Sequence, residues 1–275
     1  MSIAFLPDRG VLEVAGPDRV AFLQGLVSND VAAIPPGGAA WAALLTPQGK
    51  WLADFFVVAA TEDTFLLDAE AAAVPGVLQR LSRFRLRSRV TLRDASADWR
   101  VHAAWGTAPA AEGIVFADPR LPEAGWRVLA PAPLATDAAA EDYDRHRLAL
   151  GLPDGARDLE AEKSVLLEAG FDELNGVSWS KGCYMGQELT ARTRYRGLVK
   201  RRLVPVAVEG KLPDRGTPVT DAAGAEVGEM RSGRDGQGLA LLRIDALDRA
   251  PFAAGGALLS PRIPAWMRLP ARERA

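Results

Sequence analysis

Cysteine and histidine are nearly missing from this chain: among 275 residues there is one Cys, at 183, and two His, at 102 and 146. With a single thiol no intramolecular disulfide can form, so nothing points to an oxidising compartment. A structural zinc site takes four Cys or His ligands, and the chain has three. An iron–sulfur cluster held on four of its own thiolates is excluded for the same reason. Long apolar runs are also absent: no stretch approaches eighteen uninterrupted apolar residues, so no membrane span is expected. The first residues, Met1 to Arg9, lack a basic segment followed by an apolar one, so no secretory leader is expected and the cytoplasm is the default location. Net charge is only −2, so bulk electrostatics does not suggest a nucleic-acid partner. Lysine is scarce too. There are 28 Arg but five Lys, at 50, 163, 181, 200 and 211, so where arginine is the default cation a lysine carries more weight.

What is present describes a globular chain, 48% hydrophobic and 25% charged, long enough for one large or two modest domains. Ile3–Leu6 and Val11–Val14 are short apolar runs around Pro7-Asp8-Arg9-Gly10, which reads as a hairpin. Gly16-Pro17-Asp18 opens an amphipathic helix carrying Val20, Leu23 and Val27. Trp41–Thr46 and Trp51–Ala59 form a second hairpin around Pro47-Gln48-Gly49-Lys50, and Thr64–Leu67 adds a strand. A helix is expected over Ala71–Arg85, and another over Ala138–Leu150, capped by Asp137 and stopped by Gly151-Leu152-Pro153. Between them Val90–Leu92, Trp99–Ala104, Ile114–Phe116 and Trp126–Leu129 are strand candidates. Strands and helices intersperse without a βαβ repeat, which favours an α+β architecture with antiparallel sheets. From about Leu203 short strands follow closely, separated by turns such as Asp235-Gly236 and Gly255-Gly256. They predict a small C-terminal β-barrel, so the expected division is 1–200 and 201–275.

The most unusual stretch is Lys181-Gly182-Cys183-Tyr184-Met185-Gly186-Gln187-Glu188. It puts the only cysteine between glycines, two residues after one of five lysines. A lone Cys is most often an inert buried residue. Here the flanking glycines permit close backbone approach, and a neighbouring ammonium favours the thiolate. A helix is expected from Gly186 to Tyr195, its first amides near Cys183. A basic run follows, with six basic residues between 192 and 202 and no acid from Leu189 to Val208. Arg80, Arg83, Arg85, Arg87 and Arg89 form a second basic cluster, which reads as a polar helix face and its exit.

The element K-G-C-Y-x-G-Q-E at 181–188 resembles the signature of the YgfZ family of folate-binding proteins of iron–sulfur cluster metabolism, and with Leu189–Thr193 its mitochondrial members especially. His146-Arg147, Gly151-Leu152-Pro153, Arg157-Asp158-Leu159, Asn175–Ser178, Phe22–Asp30 and Leu45–Lys50 fit the same pattern, so the resemblance spans most of the chain. That family is similar in fold to the aminomethyltransferase T-protein of the glycine cleavage system. The resemblance implies two β/α subdomains around a central opening that takes tetrahydrofolate, followed by a C-terminal barrel. Asp54 falls where T-proteins carry their catalytic aspartate, and Glu123 where they hold the pterin. Arg147 is implied near the folate carboxylates, and Gln187 and Arg192 on the cofactor side. Without the resemblance, Asp54 reads as a polar strand residue and Glu123 as an exposed loop acid.

The T-protein stretch G-Y-T-G-E-D-G is not present in full, and K-G-C-Y-x-G-Q-E is foreign to T-proteins. The resemblance therefore implies a folate-dependent factor for assembly or repair of iron–sulfur clusters ahead of an aminomethyl or one-carbon transferase. Cys183 and Lys181 carry the chemistry, and any cluster is shared through Cys183 with a client enzyme or an A-type scaffold protein, because one thiol cannot hold it alone.

Overall fold

The computed structural model describes residues 1–269. In chain order its first part runs β1 (Ser2–Phe5), β2 (Arg9–Ala15), α1 (Arg19–Gln24), β3 (Ala39–Leu45), β4 (Trp51–Thr61), β5 (Thr64–Glu70), α2 (Val74–Arg85) and β6 (Thr91–Asp94). It continues through β7 (Arg100–Trp105), β8 (Ile114–Ala117), β9 (Trp126–Ala130), α3 (Ala140–Leu150), the single turn α4 (Gly155–Asp158) and α5 (Gln187–Tyr195). The last part is all strand and short turns: β10 (Arg201–Glu209), β11 (Pro218–Thr220), β12 (Glu226–Arg234), β13 (Gln237–Arg243), β14 (Phe252–Ala254) and β15 (Ala257–Pro261).

Two antiparallel sheets, ordered β3-β4-β5-β2-β6 and β1-β7-β9-β8, pack against each other, and β10 to β15 close into a barrel. This is the α+β architecture with a C-terminal barrel read from the residues. β4 shows why its sequence is apolar throughout. Ala53, Phe55, Val57 and Ala59 face the cluster that also holds Val77 and Leu81 of α2, while Phe56 and Val58 face the core between the sheets. A strand buried on both faces gives a continuous run rather than alternation. Period two then places Asp54 on the inter-sheet face with Phe56.

Two local readings are corrected. β1 and β2 are not a hairpin: β1 pairs with β7 and β2 with β5 and β6, so Pro7-Asp8 carries the chain from one sheet to the other. Asp137 does not cap α3. Its carboxylate accepts the Ile3 amide at 2.6 Å, and Asp142 reaches back to the Ala139 amide at 2.8 Å to satisfy the helix start. Gly151 does end α3, in the left-handed conformation (φ +76°).

Candidate functional site

Cys183 is exposed on the loop leading into α5. The loop is fastened at three places, each by a segment that carries part of the sequence resemblance. Lys181 Nζ donates to the Val27 carbonyl at 2.8 Å and to that of Asn29, and the Met185 amide donates to Gly25 O at 3.0 Å. Gly186, at φ +80°, lies against the β3–β4 turn, where a Cβ would come within 2.4 Å of Thr46 O. The Gln187 side chain accepts the Tyr184 amide at 3.2 Å and closes the turn before the helix. Beneath this, Ser28 Oγ donates to Gly176 O at 2.6 Å, and Asn29 Nδ2 donates to Asn175 O and to Trp41 O, both at 2.7 Å. Segments 25–29, 46–49, 175–178 and 181–188 thus form one rigid frame with the thiol at its surface. Burial pushes the Lys181 ammonium down to about 8, and two of its three donors are held by carbonyls, so it works as the loop's tie.

Between the sheets lies a charged interior assembled from distant residues. Asp68 of β5 holds Arg9 Nε at 2.7 Å and Arg127 at 3.3 Å. Asp118 holds Arg120 at 2.7 Å, and the Tyr143 hydroxyl accepts from Arg120 at 3.3 Å and Arg127 at 3.0 Å. The guanidiniums of Arg9, Arg120 and Arg127 lie 5.9, 5.0 and 4.5 Å from the Phe56 ring centre. Buried ions survive only when paired and hydrogen-bonded, and here each is. Next to this cluster opens a cavity of about 400 Å³, within the size range of small-molecule sites. Arg9, Arg127, Tyr143, Asp144, Asp154 and Arg157 line it. Arg127 Nε is buried there without a hydrogen-bond partner. Burial works against ionisation of Asp154, but the charges of Arg147, Arg9 and Arg157 outweigh it and hold its carboxyl down at about 2.

The expected site residues separate into groups. Asp54 is buried on the inter-sheet face, its two oxygens accepting the indole N–H of Trp41 at 2.9 Å and of Trp51 at 3.1 Å. Burial raises its pKa, and the Trp41 indole and the Arg9 charge pull it back without cancelling the rise. Asp54 does not line the cavity, but its charge is felt by Arg9 and Asp154, which do. Arg147 also lines the cavity but is committed: it donates to Asp144 at 2.7 Å, Asp158 at 2.8 Å, Leu152 O at 3.2 Å and Ser232 Oγ of the barrel at 2.9 Å. Glu123 sits exposed on a short turn between β8 and β9, outside the cavity, with only its carbonyl used, by His146 Nε2 at 3.0 Å. Arg192 is exposed on α5. Cys183, Lys181 and Gln187 therefore belong to the outer frame, Arg192 to the exposed side of α5, Asp54 to the inter-sheet interior and Arg147 to the cavity wall. Sequence reasoning does not find Arg9, Asp68, Arg120, Arg127 or Asp154. Only the Asp118-Pro119-Arg120 triplet, an ion pair two residues apart, offers a signal.

Comparison with known proteins sharpens this. Residues 8–116 match the family model of the GCVT N-terminal domain, and residues 200–269 match that of the CAF17 C-terminal beta-barrel domain. The fold is that of the glycine cleavage system aminomethyltransferase T from Bartonella henselae, with a TM-score of 0.76 over 96% of this chain and 85% of that one, at 16% identity. The chain is 36% identical to the mitochondrial iron–sulfur cluster assembly factor IBA57 of Homo sapiens, covering 95% of this chain and 84% of that protein. It is 34% identical to the homolog from Mycosarcoma maydis, covering 96% and 84%. These relatives are mitochondrial proteins, which overturns the expectation of a cytoplasmic one. The relatives also refine the YgfZ resemblance, for with these identities over nearly its whole length, the chain belongs to the IBA57 family of iron–sulfur cluster assembly factors.

Proposed function

We propose that this protein is an iron–sulfur cluster assembly factor that binds tetrahydrofolate in the inter-sheet cavity and offers Cys183 as the one thiolate through which a cluster is shared with a partner. The observation that carries the reading is the exposed Cys183 on a loop tied down at three points. A thiol kept for packing would be buried. A thiol kept for exchange needs access and a fixed position.

The exchange is simple to balance. The Cys183 thiol loses its proton, Sγ binds a cluster iron, and the thiolate it displaces, from a partner protein or a small thiol, leaves and takes up a proton. The cluster is cargo. Since the chain has one cysteine, the remaining ligands come from the other molecule. An A-type scaffold or a client enzyme is the partner of that chemistry.

The cavity fits a folate. Its volume suffices for a pterin. Asp154, ionised at any physiological pH, is an acceptor for the N–H edge of the ring. The unsatisfied Arg127 Nε supplies a buried donor, and Arg157, with its side chain 41% exposed, is placed for the glutamate tail. Asp54 adds a buried carboxylate in the same interior, with lone pairs to spare beyond the two indole bonds. A reduced folate would supply a one-carbon acceptor or an electron-rich pterin.

The alternative, one-carbon transfer of the T-protein type, takes its support from the shared fold and the inward Asp54. Complementation of a deletion strain separates the two. Cys183→Ser should lose activity of cluster-dependent enzymes while Asp54→Asn retains more of it. Full rescue by Cys183→Ser and none by Asp54→Asn would overturn the assembly reading.

A further inference from the structure

From Ala71 to Arg93 the chain carries six arginines and no acid. Arg89 and Arg93 are paired, with Asp18 and with Glu13 and Asp98. Arg80, Arg83, Arg85 and Arg87 have no carboxylate partner among the described residues, in a protein where most buried and many exposed arginines do. Arg83 and Arg85 stand in the last turn of α2, where positive charge offsets the helix dipole. That accounts for neither Arg80, one turn earlier, nor Arg87, beyond the helix.

Arg80 and Arg83 border a groove of about 260 Å³ between α2 and the β3–β4 hairpin. Its floor is apolar, formed by Leu44, Leu52, Ala53 and Val77. On the helix side it is left open by Gly76, where a Cβ would meet nothing within 4 Å. Arg80 Nε is buried without a partner. Just past the helix end, Leu86 holds a left-sided backbone (φ +37°) that a leucine rarely adopts and leaves its side chain 87% exposed. The unpaired cationic rim of Arg80 and Arg83 and the apolar slot thus lie together, while Leu86 and Arg87 line a neighbouring hollow with Asp18 and Phe84.

We infer that the groove beside α2 docks an acidic segment of a partner protein, with an apolar side chain in the groove and carboxylates on Arg80 and Arg83. Charge complementarity fixes the sign, and arginine forks suit carboxylates. Size selects a protein segment: the groove is below the usual range for a whole small molecule and takes one side chain, not the paired chains of a lipid. The apolar face of α2 is already packed, through Val74, Val77 and Leu81, so it is not available for insertion into a bilayer. Met185, two residues beyond Cys183, packs on the same apolar cluster as Leu44 and Val77. A partner held here therefore rests on the same side of the sheet as the thiol loop. The docking surface itself does not depend on the cluster reading.

The test is fluorescence anisotropy of the full chain with short peptides graded in glutamate content around a central Leu, Phe or Ser. Binding should rise with glutamate content, need Leu or Phe, and fall with salt. Arg80→Glu with Arg83→Glu should weaken it roughly tenfold or more, a difference of about 1.4 kcal/mol. Gly76→Leu fills the groove at a helical site where leucine is the better residue, so the fold is retained while binding falls. The proposal is overturned if glutamate-rich peptides bind no better than their glutamine counterparts. It is equally overturned if both variants bind as the wild type does, or if phosphatidylglycerol vesicles bind the wild type more tightly than any peptide. Loss of peptide binding with Cys183 intact, or the reverse, tells failure of this surface from failure of the cluster reading.

Discussion

Gly49 and Gly186 meet backbone to backbone: a Cβ on Gly49 would stand 2.6 Å from the Gly186 carbonyl oxygen, and a Cβ on Gly186 would stand 3.0 Å from Gly49 Cα. Both hold positive φ, +81° and +80°. Gly186→Ala combines the left-handed penalty of a Cβ with overpacking against Thr46, and should cost about 3 kcal/mol. Urea unfolding monitored by tryptophan fluorescence reads it directly. A loss within about 0.5 kcal/mol would mean that the two segments do not touch.

Lys181 gives a pH signature. Its folded pKa, about 8, is below its ordinary value of 10.5, so between these values the unfolded chain binds more protons than the folded one. The stability of the wild type relative to Lys181→Met should therefore rise with pH through that window. Denaturation curves of both proteins below and above it provide the check. In the same variant, amide exchange from Lys181 to Met185 should speed up, because two carbonyl ties are gone.

Asp144 behaves in the opposite sense. Burial disfavours its charge, but Arg157, Arg147 and Arg234 outweigh this and hold the carboxyl well below the usual range. Its contribution is complete above the unfolded value of about 3.9 and disappears as pH falls through the depressed folded one. Asp144→Asn should lose about 3 kcal/mol at neutral pH, since it takes a buried anion away from the buried Arg147 and the partly exposed Arg157 and Arg234. The gap to wild type should close in acid. A gap that is constant with pH would remove the ion network from the account.

The folate reading predicts that Asp154→Asn and Arg127→Gln each weaken tetrahydrofolate binding roughly tenfold, as measured by calorimetry. Glu123→Gln should bind as wild type, because that carboxylate is exposed outside the cavity. If the Glu123 variant alone lost affinity, the cavity would be the wrong site.

How much is legible in the residues follows the range of the interactions. The β3–β4 hairpin is readable because Pro47-Gln48-Gly49-Lys50 is a local turn signal. The β1–β2 pair misleads because the same kind of turn joins strands whose partners, β7 and β5, lie far along the chain. β14 escapes notice: three residues wedged between Pro251 and Gly255-Gly256 leave no pattern. The thiol frame is legible as contiguous motifs, although only the fold brings segments 25–29, 46–49 and 181–188 together. The cavity is not legible, since its charges at 9, 68, 120, 127 and 154 share no spacing. Paired charges in an interior look, in sequence, like surface ones. Arg147, expected beside the folate carboxylates, lines the cavity while its donors serve the fold.

Asp144 accepts guanidiniums from α3, from α4 and, through Arg234 at 2.8 Å, from the barrel. The cavity wall and the barrel are thus pinned at one carboxylate, with Arg147 adding a second pin at Ser232. The two parts cannot hinge apart without stripping a buried anion of its barrel counter-charge, Arg234, and Arg147 of its bond to Ser232. A ligand must then enter by the standing mouth of the cavity, and the barrel acts as a buttress for that wall rather than as a lid over it.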